Sequence, residues 1–311
     1  MIIYLGRETT QIGYIPQLQT TNLAKYNGEF QVRDSVAEVK GGWALTWAFV
    51  HRHERNAVME TGFWWHATHI DQQGIYGKST FNNPLATAEI EAFKAPKPVA
   101  ELVAEKLIPN SKYRQGVPVQ RWDGVVLAMQ VPHDRSVKSV GHYDDYWNFY
   151  RGACKHYGKN LYVKLHPINT AAVKKQAMEV AAEHGCCIGE TDHSVTAHCK
   201  FVLVYNSTFC VDCFVRRVPV AQFAPGYFYK SGAVTYTEGT YPDDVEDTVD
   251  FASRTADFCV YRYCFNYNQP LEQWIAMLRH FAKSDALFPM TDDWCYVNNL
   301  HHGSQKWTNC F

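Results

Sequence analysis

The chain lacks any apolar run close to the roughly 18 residues that a membrane span requires. Its first residues, Met1 to Arg7, also lack the basic stretch and apolar core of a signal peptide and predict a first strand. Neither sign of charge predominates, since 30 basic residues stand against 31 acidic ones, whereas a dedicated nucleic-acid-coating protein is usually more basic. We therefore expect a cytoplasmic protein, in the host cytoplasm if a phage encodes it, whose ten cysteines are reduced thiols.

A second CxxC motif is also missing. The spacing Cys210-Val-Asp-Cys213 occurs inside a predicted helix and has no counterpart elsewhere. A structural zinc site usually takes its ligands from two spaced pairs. The pattern therefore predicts buried cysteines that act as small apolar side chains, and no bound metal.

The sequence has no internal repeat and no low-complexity segment, and its 311 residues suit two domains of about 150 residues each. The first domain, 1–116, mixes short strands with one helical pattern from Leu85 to about Leu107 and ends in a polar, turn-rich stretch at 109–116. Beyond it, strand patterns alternate with helical patterns: strands at 125–131, 161–165, 186–188, 201–205 and 218–223, and helices at 144–156, 170–184, 192–198 and 208–216. This alternation predicts an α/β domain with a parallel, doubly wound sheet over 117–265. We expect a helix at 269–284, within 266–311, to return to the first domain.

Two of the predicted strands end at polar residues suited to holding a ligand. His166-Pro167 follows the strand at 161–165, and Asn206-Ser207-Thr208 follows the strand at 201–205. Ligands of open α/β sheets collect at the carboxyl ends of strands, and anions collect at helix N-termini. The two ends therefore predict a nucleotide site, although a lone histidine is often structural and Ser and Thr are common helix caps. Asp212, one turn into the following helix, either reaches a ribose or faces solvent.

Carboxylates that suit group transfer occur in both predicted domains. Asp134 comes just past the first strand of the second domain, where a carboxylate pointing into the cleft between the domains is suited to attack an electrophilic carbon. A helix cap or a turn is the structural alternative for this residue. Glu60 precedes a glycine turn rich in aromatic residues and is a candidate acid or base, unless it is a surface residue of that turn. Asp71 follows in the same region.

The order of these segments resembles the capsular-polysaccharide β-Kdo transferase family over roughly residues 58–235. Seven short segments carry the resemblance: Glu60-Thr-Gly-Phe63, Asp71-Gln-Gln-Gly-Ile-Tyr76, Ser111-Lys-Tyr-Arg-Gln-Gly116, Gln130-Val-Pro-His-Asp134-Arg-Ser136, Lys164-Leu-His166-Pro167, Ser207 with Asp212 five residues later, and Pro225-Gly-Tyr-Phe-Tyr229.

The resemblance implies a GT-B fold, in which two Rossmann-like domains face a cleft, and a retaining transfer of a sugar from a CMP-activated donor. It implies that Asp134 is the nucleophile that forms a glycosyl-enzyme adduct and that Glu60 handles the acceptor proton. His166 and Ser207 would hold the CMP phosphate, and Pro167 would shape the cytidine pocket. No metal or other cofactor is expected, because His166, Lys164 and a helix N-terminus can stabilise the leaving phosphate. The remaining candidates are Asn206, Thr208 and Asp212 for the nucleotide, and Gln130, Arg135 and Asp71 for the cleft.

The sequence suits two kinds of acceptor hydroxyl, one on a glycan and one on a DNA base. The family's members modify lipid-linked glycans, but this chain has no amphipathic basic helix of the kind that docks on anionic lipid. A compact transferase rich in aromatic residues also suits a hydroxymethylated base, 5-hydroxymethylcytosine, in phage double-stranded DNA. We lean towards DNA, with arabinose as the donor sugar, over a Kdo-type transfer to a capsular or lipopolysaccharide glycan.

The basic residues leave that choice open. The clusters Arg52 to Arg55, Lys174-Lys175 and Arg216-Arg217 either contact DNA or are solvated faces. A nucleotide-sugar epimerase and a non-catalytic binding protein of the same fold also stay open as alternatives.

Overall fold

The computed structural model describes residues 2–6, 16–18, 20–26, 28–34, 36, 41–47, 55–64, 67–109, 116–119 and 121–299. The strands are β1 (Ile3–Gly6), β2 (Phe30–Arg33), β3 (Trp43–Trp47), β4 (Asn56–Thr61), β5 (Ala67–Asp71), β6 (Val125–Ala128), β7 (Leu161–Lys164), β8 (Cys187–Gly189), β9 (Val202–Val204), β10 (Val220–Gln222), β11 (Thr235–Tyr236) and β12 (Cys264–Asn266). The α-helices are α1 (Thr20–Leu23), α2 (Pro84–Ala92), α3 (Val99–Ala104), α4 (Arg135–Lys138), α5 (Tyr143–Tyr157), α6 (Ala171–Glu183), α7 (Phe209–Val215), α8 (Val249–Phe258) and α9 (Leu271–Lys283). Within this part of the chain, no helix combines the length and the apolar character that crossing a membrane requires.

Some of the sequence-based predictions lie outside the described residues. These are most of the motif Ser111 to Gly116, the basic residues Arg52 and His53, and Cys310.

The chain folds as two compact units, each with a six-stranded sheet. Unit 1 comprises residues 1–80, 95–110 and 257–311, and unit 2 comprises residues 81–94 and 111–256. The sheet of unit 1 has the order β12-β5-β4-β3-β1-β2, and the sheet of unit 2 has the order β11-β10-β9-β6-β7-β8. The predicted architecture of two Rossmann-like α/β sheets is therefore confirmed.

The sheet of unit 1 is parallel from β2 to β4 and antiparallel beyond. Strand β5 runs antiparallel to β4 because only five residues separate them, whereas a parallel partner needs a crossover of a dozen or more. Gly62 begins this hairpin: its N–H donates to the carbonyl of Ala67 at 2.8 Å. A Cβ on Gly62 would lie only 2.7 Å from that of Ala67. The hairpin brings Glu60, on β4, directly opposite His69, on β5.

The end of the chain returns to unit 1, as predicted. Strand β12 pairs antiparallel with β5, and helix α9 is tied to the same unit by a bidentate ion pair between Arg279 and Glu29 at 2.6–2.7 Å. The unit boundary consequently lies between 256 and 257 rather than at 265. Strand β12 belongs to the sheet of unit 1, and the turn of π-helix that precedes it lies in the same unit.

The segment 81–94 belongs to unit 2, although the residues on both sides of it belong to unit 1. The sequence predicts this segment as part of the first domain, but it packs with unit 2. Phe81 packs on Phe228 with ring centroids 4.8 Å apart, and Asn82 donates to the carbonyl of Gly226 and accepts from the N–H of Lys230, both at 3.0 Å. The helical pattern from Leu85 to about Leu107 is divided into α2 and α3, because Pro96 and Pro98 stand between them.

All strands of unit 2 are parallel. Numbered within the unit, the sheet order is 3-2-1-4-5-6, which is the order of a dinucleotide-binding Rossmann sheet. The central strands are covered on one side by α5, an amphipathic helix. It begins where the Asp145 carboxylate accepts the backbone N–H of His142 at 2.7 Å and ends before Gly158, whose φ is +51°. Its buried face includes Tyr146, Trp147 and Tyr150.

Candidate functional site

The carboxyl edge of the unit 2 sheet brings most of the predicted site residues together. Strand β6 lies between β7 and β9, and the chain moves from β6 to one side of it and later returns on the other. The topological switch point is therefore between β6 and β9, which is where ligands of open α/β sheets bind. Gln130 follows β6, His166 follows β7 and Asn206 follows β9.

A buried pair of amide side chains spans the switch point. The Gln130 side chain accepts the backbone N–H of Asn206 at 2.9 Å and donates to the side-chain oxygen of Asn206, also at 2.9 Å. The amide nitrogen of Asn206 donates to the carbonyl of Ser136 at 2.7 Å. Because both side chains are at most 5% exposed and engaged with each other, their present contacts are structural. The Asn206 side chain can therefore bind the nucleotide, as predicted, only when these contacts break.

Asp134 is held at the end of this network. Its Oδ1 caps α4, accepting the backbone N–H of Ser136 at 2.8 Å and the hydroxyl of Ser136 at 2.7 Å. Gln130 in turn donates to the Ser136 hydroxyl at 3.2 Å. Asp134 is exposed, and its Oδ2 has no hydrogen bond within the described chain. The residue is thus both the helix cap that we gave as the structural alternative and a solvent-facing carboxylate at the switch point. Arg135 is exposed beside it.

The turn after β7 presents His166 and Pro167. His166 is half-buried, Pro167 is exposed, and the carbonyl of His166 accepts the N–H of Asn169 at 3.1 Å. The side chain of Asn169 donates to the carbonyl of Gln130 at 3.3 Å, which places this turn beside the loop that carries Asp134.

The start of α7 supplies two hydroxyls. Ser207 accepts the N–H of Phe209 at 3.1 Å, whereas Thr208, the last residue before the helix, makes no capping bond. Both side chains are half-buried, so the Thr208 hydroxyl is not committed to the helix end.

Lys164 and Asp212 belong to a separate buried cluster. The ammonium of Lys164 donates to the carbonyl of Thr191, and the Oδ1 of Asp212 lies 3.5 Å from the imidazole of His193 and 3.8 Å from the guanidinium of Arg216. Burial lowers the pKa of Lys164, and the nearby charge of Asp212 partly offsets this. The ammonium of Lys164 is turned towards Thr191, so its predicted role at the phosphate requires a different rotamer.

His193 is the residue of this cluster that the sequence did not single out. Its ring stacks on Phe209 at 5.3 Å, and neither ring nitrogen makes a hydrogen bond within the described residues. Burial, Arg216 and Lys164 together hold the pKa of His193 well below its usual value, so the imidazole is neutral. Its position follows from contacts between distant segments, which spacing does not reveal. The contact between Ser136 and Asp134, by contrast, is indicated by the sequence, because Asp-x-Ser is a helix-capping pattern.

The two cysteines of the CxxC motif are buried in α7. Burial raises the pKa of both the Cys210 and the Cys213 thiol, which is the behaviour of small apolar side chains. Among the other described cysteines, Cys187 is exposed, because it begins the short edge strand β8.

In unit 1 the two candidate carboxylates have different surroundings. Asp71 is 1% exposed and accepts six hydrogen bonds, from Gln73 N, Gly74 N, Ser79 Oγ, Thr80 N, Thr80 Oγ1 and Tyr263 OH. Burial raises the pKa of the Asp71 carboxyl, against the hydrogen bonds that lower it. Glu60 is half-buried and accepts from Thr61 and Tyr76. Asp71 is enclosed by its donors, whereas Glu60 retains access to solvent.

Comparison with solved structures finds proteins that share this fold. Two solved structures from Thermosulfurimonas dismutans share it: KpsC, beta-Kdo 2,7 transferase, with 15% identity and a TM-score of 0.52, and KpsC, beta-Kdo 2,4 transferase, with 16% identity and a TM-score of 0.53. Each match covers 86% of this chain and 92% of the other. No protein-family model and no curated protein sequence matches the chain. At this identity, the likeness shows a shared fold, of the GT-B type, and no more.

Proposed function

We propose that the protein is a retaining glycosyltransferase that takes a sugar from a CMP-activated donor and acts in the cytoplasm. The observation that carries the proposal is Asp134: an exposed carboxylate at the switch point of a Rossmann sheet, with one oxygen fixed by Ser136 and the other directed to solvent. A fixed carboxylate is a suitable nucleophile for glycosyl transfer, because orientation is gained before the substrate binds.

The reaction takes place in two displacements. The Oδ2 of Asp134 forms a bond to the anomeric carbon while the bond from that carbon to the phosphate oxygen breaks, and CMP leaves with the electron pair. The acceptor hydroxyl then attacks the same carbon, its proton passes to Glu60, and the bond to Asp134 breaks. Two inversions return the original configuration.

The donor is held by groups at the same edge of the sheet. His166 and the backbone N–H groups around Ser207 and Thr208 hydrogen-bond the phosphate, and Pro167 shapes the cytidine site. Such donors stabilise the charge that develops on the leaving phosphate, so the proposal requires no metal. Gln130 and Asn206 position Asp134, while Asp212 and Lys164 line the interior beside the nucleotide.

The charges of the described residues favour a glycan acceptor over DNA. Each basic residue of the described clusters has a carboxylate partner: Lys174 with Glu190 at 2.7 Å, Lys175 with Glu179 at 3.9 Å, Arg216 with Asp212 at 3.8 Å, Arg217 with Asp250 at 2.5 Å and Arg55 with Asp285 at 3.5 Å. Binding to DNA depends on basic side chains that neutralise phosphates and so release the cations condensed on the DNA, and a basic side chain already paired with a carboxylate contributes less to this. The neighbouring structures are titled Kdo transferases, so we place a glycan hydroxyl first. A hydroxymethylated base in DNA, with arabinose as the donor sugar, is the second acceptor to test.

A thermal-shift titration with CMP, UDP, GDP and ADP tests the donor site. We expect CMP alone to stabilise the protein, by about 2.7 kcal/mol at one hundred times its Kd. His166→Ala should weaken this effect, and His198→Ala, which removes an exposed histidine of the same unit, should not. A preference for UDP would overturn the CMP assignment, and the absence of any response would overturn the donor site.

Incubation with CMP-Kdo or CMP-arabinose, followed by intact-protein mass spectrometry, tests the chemistry. An adduct of one sugar on Asp134, discharged by a glycan or by hydroxymethylated DNA, supports transfer and identifies the acceptor. Conversion of a nucleotide sugar into its epimer without an acceptor would instead show an epimerase.

A further inference from the structure

The loop from Gln72 to Thr80, here called the Asp71 loop, is held at both ends by one buried carboxylate. Asp71 accepts from the backbone of Gln73 and Gly74 at the start of the loop, at 2.9 and 3.0 Å. It also accepts from Ser79 and Thr80 at the end of the loop, at 2.6–3.1 Å. Contacts at its two ends therefore determine the conformation of the loop, independently of the backbone conformations that the residues between them favour.

The middle of the loop contains a strained residue. Tyr76 has a φ of +55°, in the left-handed region that a bulky side chain rarely adopts and that is strained for such a residue. Glycine or asparagine would adopt this conformation more easily. The Tyr76 side chain is only 8% exposed, and its hydroxyl donates to the Oε2 of Glu60 at 3.2 Å.

The other oxygen of Glu60 is held from the opposite direction. Its Oε1 accepts the backbone N–H of Thr61 at 2.7 Å and the hydroxyl of Thr61 at 3.0 Å. Within the part of the chain that the structure describes, three donors thus fix the plane of the carboxylate, and only the donor from Tyr76 comes from outside the strand that carries Glu60.

We propose that Tyr76 is a positioning residue that aims the Glu60 carboxylate, and that the Asp71 loop holds Tyr76 in its strained conformation for that purpose. The inference rests on the proposed function, in which Glu60 receives the acceptor proton. A base that receives a proton must be held within hydrogen-bond reach of it, and a small misplacement lowers the rate strongly. Phenylalanine would fill the same space without the hydroxyl, so Tyr76→Phe isolates the hydrogen bond.

Tyr263→Phe is the matched control. Tyr263 also donates its hydroxyl to a carboxylate, that of Asp71, at 2.8 Å, and its ring stacks on His69 with centroids 4.7 Å apart. This variant removes one hydrogen bond to Asp71 from outside the loop, but it keeps the five bonds from the loop itself and the bond from Tyr76 to Glu60. If the loss of any buried tyrosine hydroxyl near Asp71 had the same effect, the two variants would behave alike.

The first measurement is the NMR spectrum of the Glu60 side chain, on full-length protein with ¹³C-labelled glutamate carboxyl groups. Because the Tyr76 hydroxyl donates directly to the Glu60 carboxylate, we expect the carboxyl ¹³C chemical shift of Glu60 to change in Tyr76→Phe and to keep its wild-type value in Tyr263→Phe. An unchanged chemical shift in Tyr76→Phe, or the same change in both variants, would overturn the inference whether or not the protein transfers sugar.

The second measurement is steady-state kinetics. We expect Tyr76→Phe to lower kcat about tenfold, with the KM for the donor and the rate of adduct formation on Asp134 unchanged. A wild-type kcat in Tyr76→Phe would contradict the positioning role. Failure of the wild-type protein to form the adduct would instead contradict the proposed function, and the NMR spectrum of Glu60 separates these two cases.

Discussion

Gln130 and Asn206 form two hydrogen bonds with each other across the switch point of the unit 2 sheet, each 2.9 Å long. The pair joins the ends of β6 and β9 and, through Ser136, the helix that Asp134 caps. Buried amides that satisfy each other in this way specify one geometry, because any other arrangement leaves polar atoms without partners. The candidate nucleophile is thereby attached to the rigid sheet rather than to a free loop.

The Gln130–Asn206 pair should show strong energetic coupling. We expect Gln130→Ala and Asn206→Ala each to lower the free energy of unfolding by about 2–3 kcal/mol, since each leaves buried polar groups unsatisfied. The double variant should cost about 1–2 kcal/mol less than the sum, as measured by urea unfolding. Gln130→Ala combined with Lys175→Ala, an exposed change in the same unit, is the additive control. Additivity in both combinations would show that the amide pair does not act as one element.

Substitution of Asp134 should separate its two roles. Asp134→Asn keeps an acceptor for the N-terminus of α4, whereas Asp134→Ala removes it and should cost about 1 kcal/mol of stability. We expect both variants to lose transfer while CMP still raises their melting temperatures. A rate above about a tenth of wild type in either variant, corresponding to a loss under ~1.4 kcal/mol in the barrier, would exclude Asp134 as the nucleophile.

The ion pairs Arg216–Asp212 and Arg217–Asp250 differ in burial, so they allow the effect of burial on stability to be compared. The Asp212 side chain is 14% exposed and shares its interior with Lys164 and Arg216, whereas Asp250 and Arg217 are 79% and 57% exposed. We expect Asp212→Ala to lower stability by about 3 kcal/mol, because it removes a counterion of the buried Lys164 and the partly buried Arg216, and Asp250→Ala to leave the melting temperature near its wild-type value. Equal melting temperatures in the two variants would indicate that water reaches the Asp212 cluster.

Asp257 should make stability depend on pH. Its carboxylate accepts the N–H of Val99 at 2.6 Å, and burial raises the pKa of Asp257 to about 6, with a further contribution from Glu101. A folded-state pKa above that of the unfolded chain means that the folded protein binds the proton more tightly. The contribution is therefore full below about pH 4 and is lost as pH rises through about 6.

The loss amounts to on the order of 1 kcal/mol, since the side chain is only half-buried and solvent screens the effect. Asp257→Asn should remove this slope in the pH dependence of the unfolding free energy between pH 4 and 7. Asp250→Asn should leave the slope in place, because its ion pair with Arg217 lowers the pKa of Asp250. A wild-type slope in Asp257→Asn would assign the effect to another group.

The elements of unit 2 were predictable because their signals are local. Strands of β-formers alternate with helical patterns at a spacing that only a parallel sheet accommodates, and polar residues after β6, β7 and β9 predicted a candidate site at one edge of that sheet. The antiparallel direction of β5 also has a local cause, the short connection that follows β4. No local pattern predicts that segment 81–94 belongs to unit 2, since its place there depends on contacts with Phe228 and Gly226, nearly 150 residues away.

The sequence by itself determined which residues follow each strand and which of them have chemistry suited to a nucleotide and a sugar. Only the tertiary structure decided what each side chain does with that chemistry. Asn206 is engaged with Gln130, Lys164 is turned towards Thr191, and Asp71 is enclosed by donors that include Tyr263, 192 residues further along the chain. Strand ends are set by neighbours in sequence, whereas the partner of a buried polar group is set by the segments that fold over it, since every such group must find a partner there.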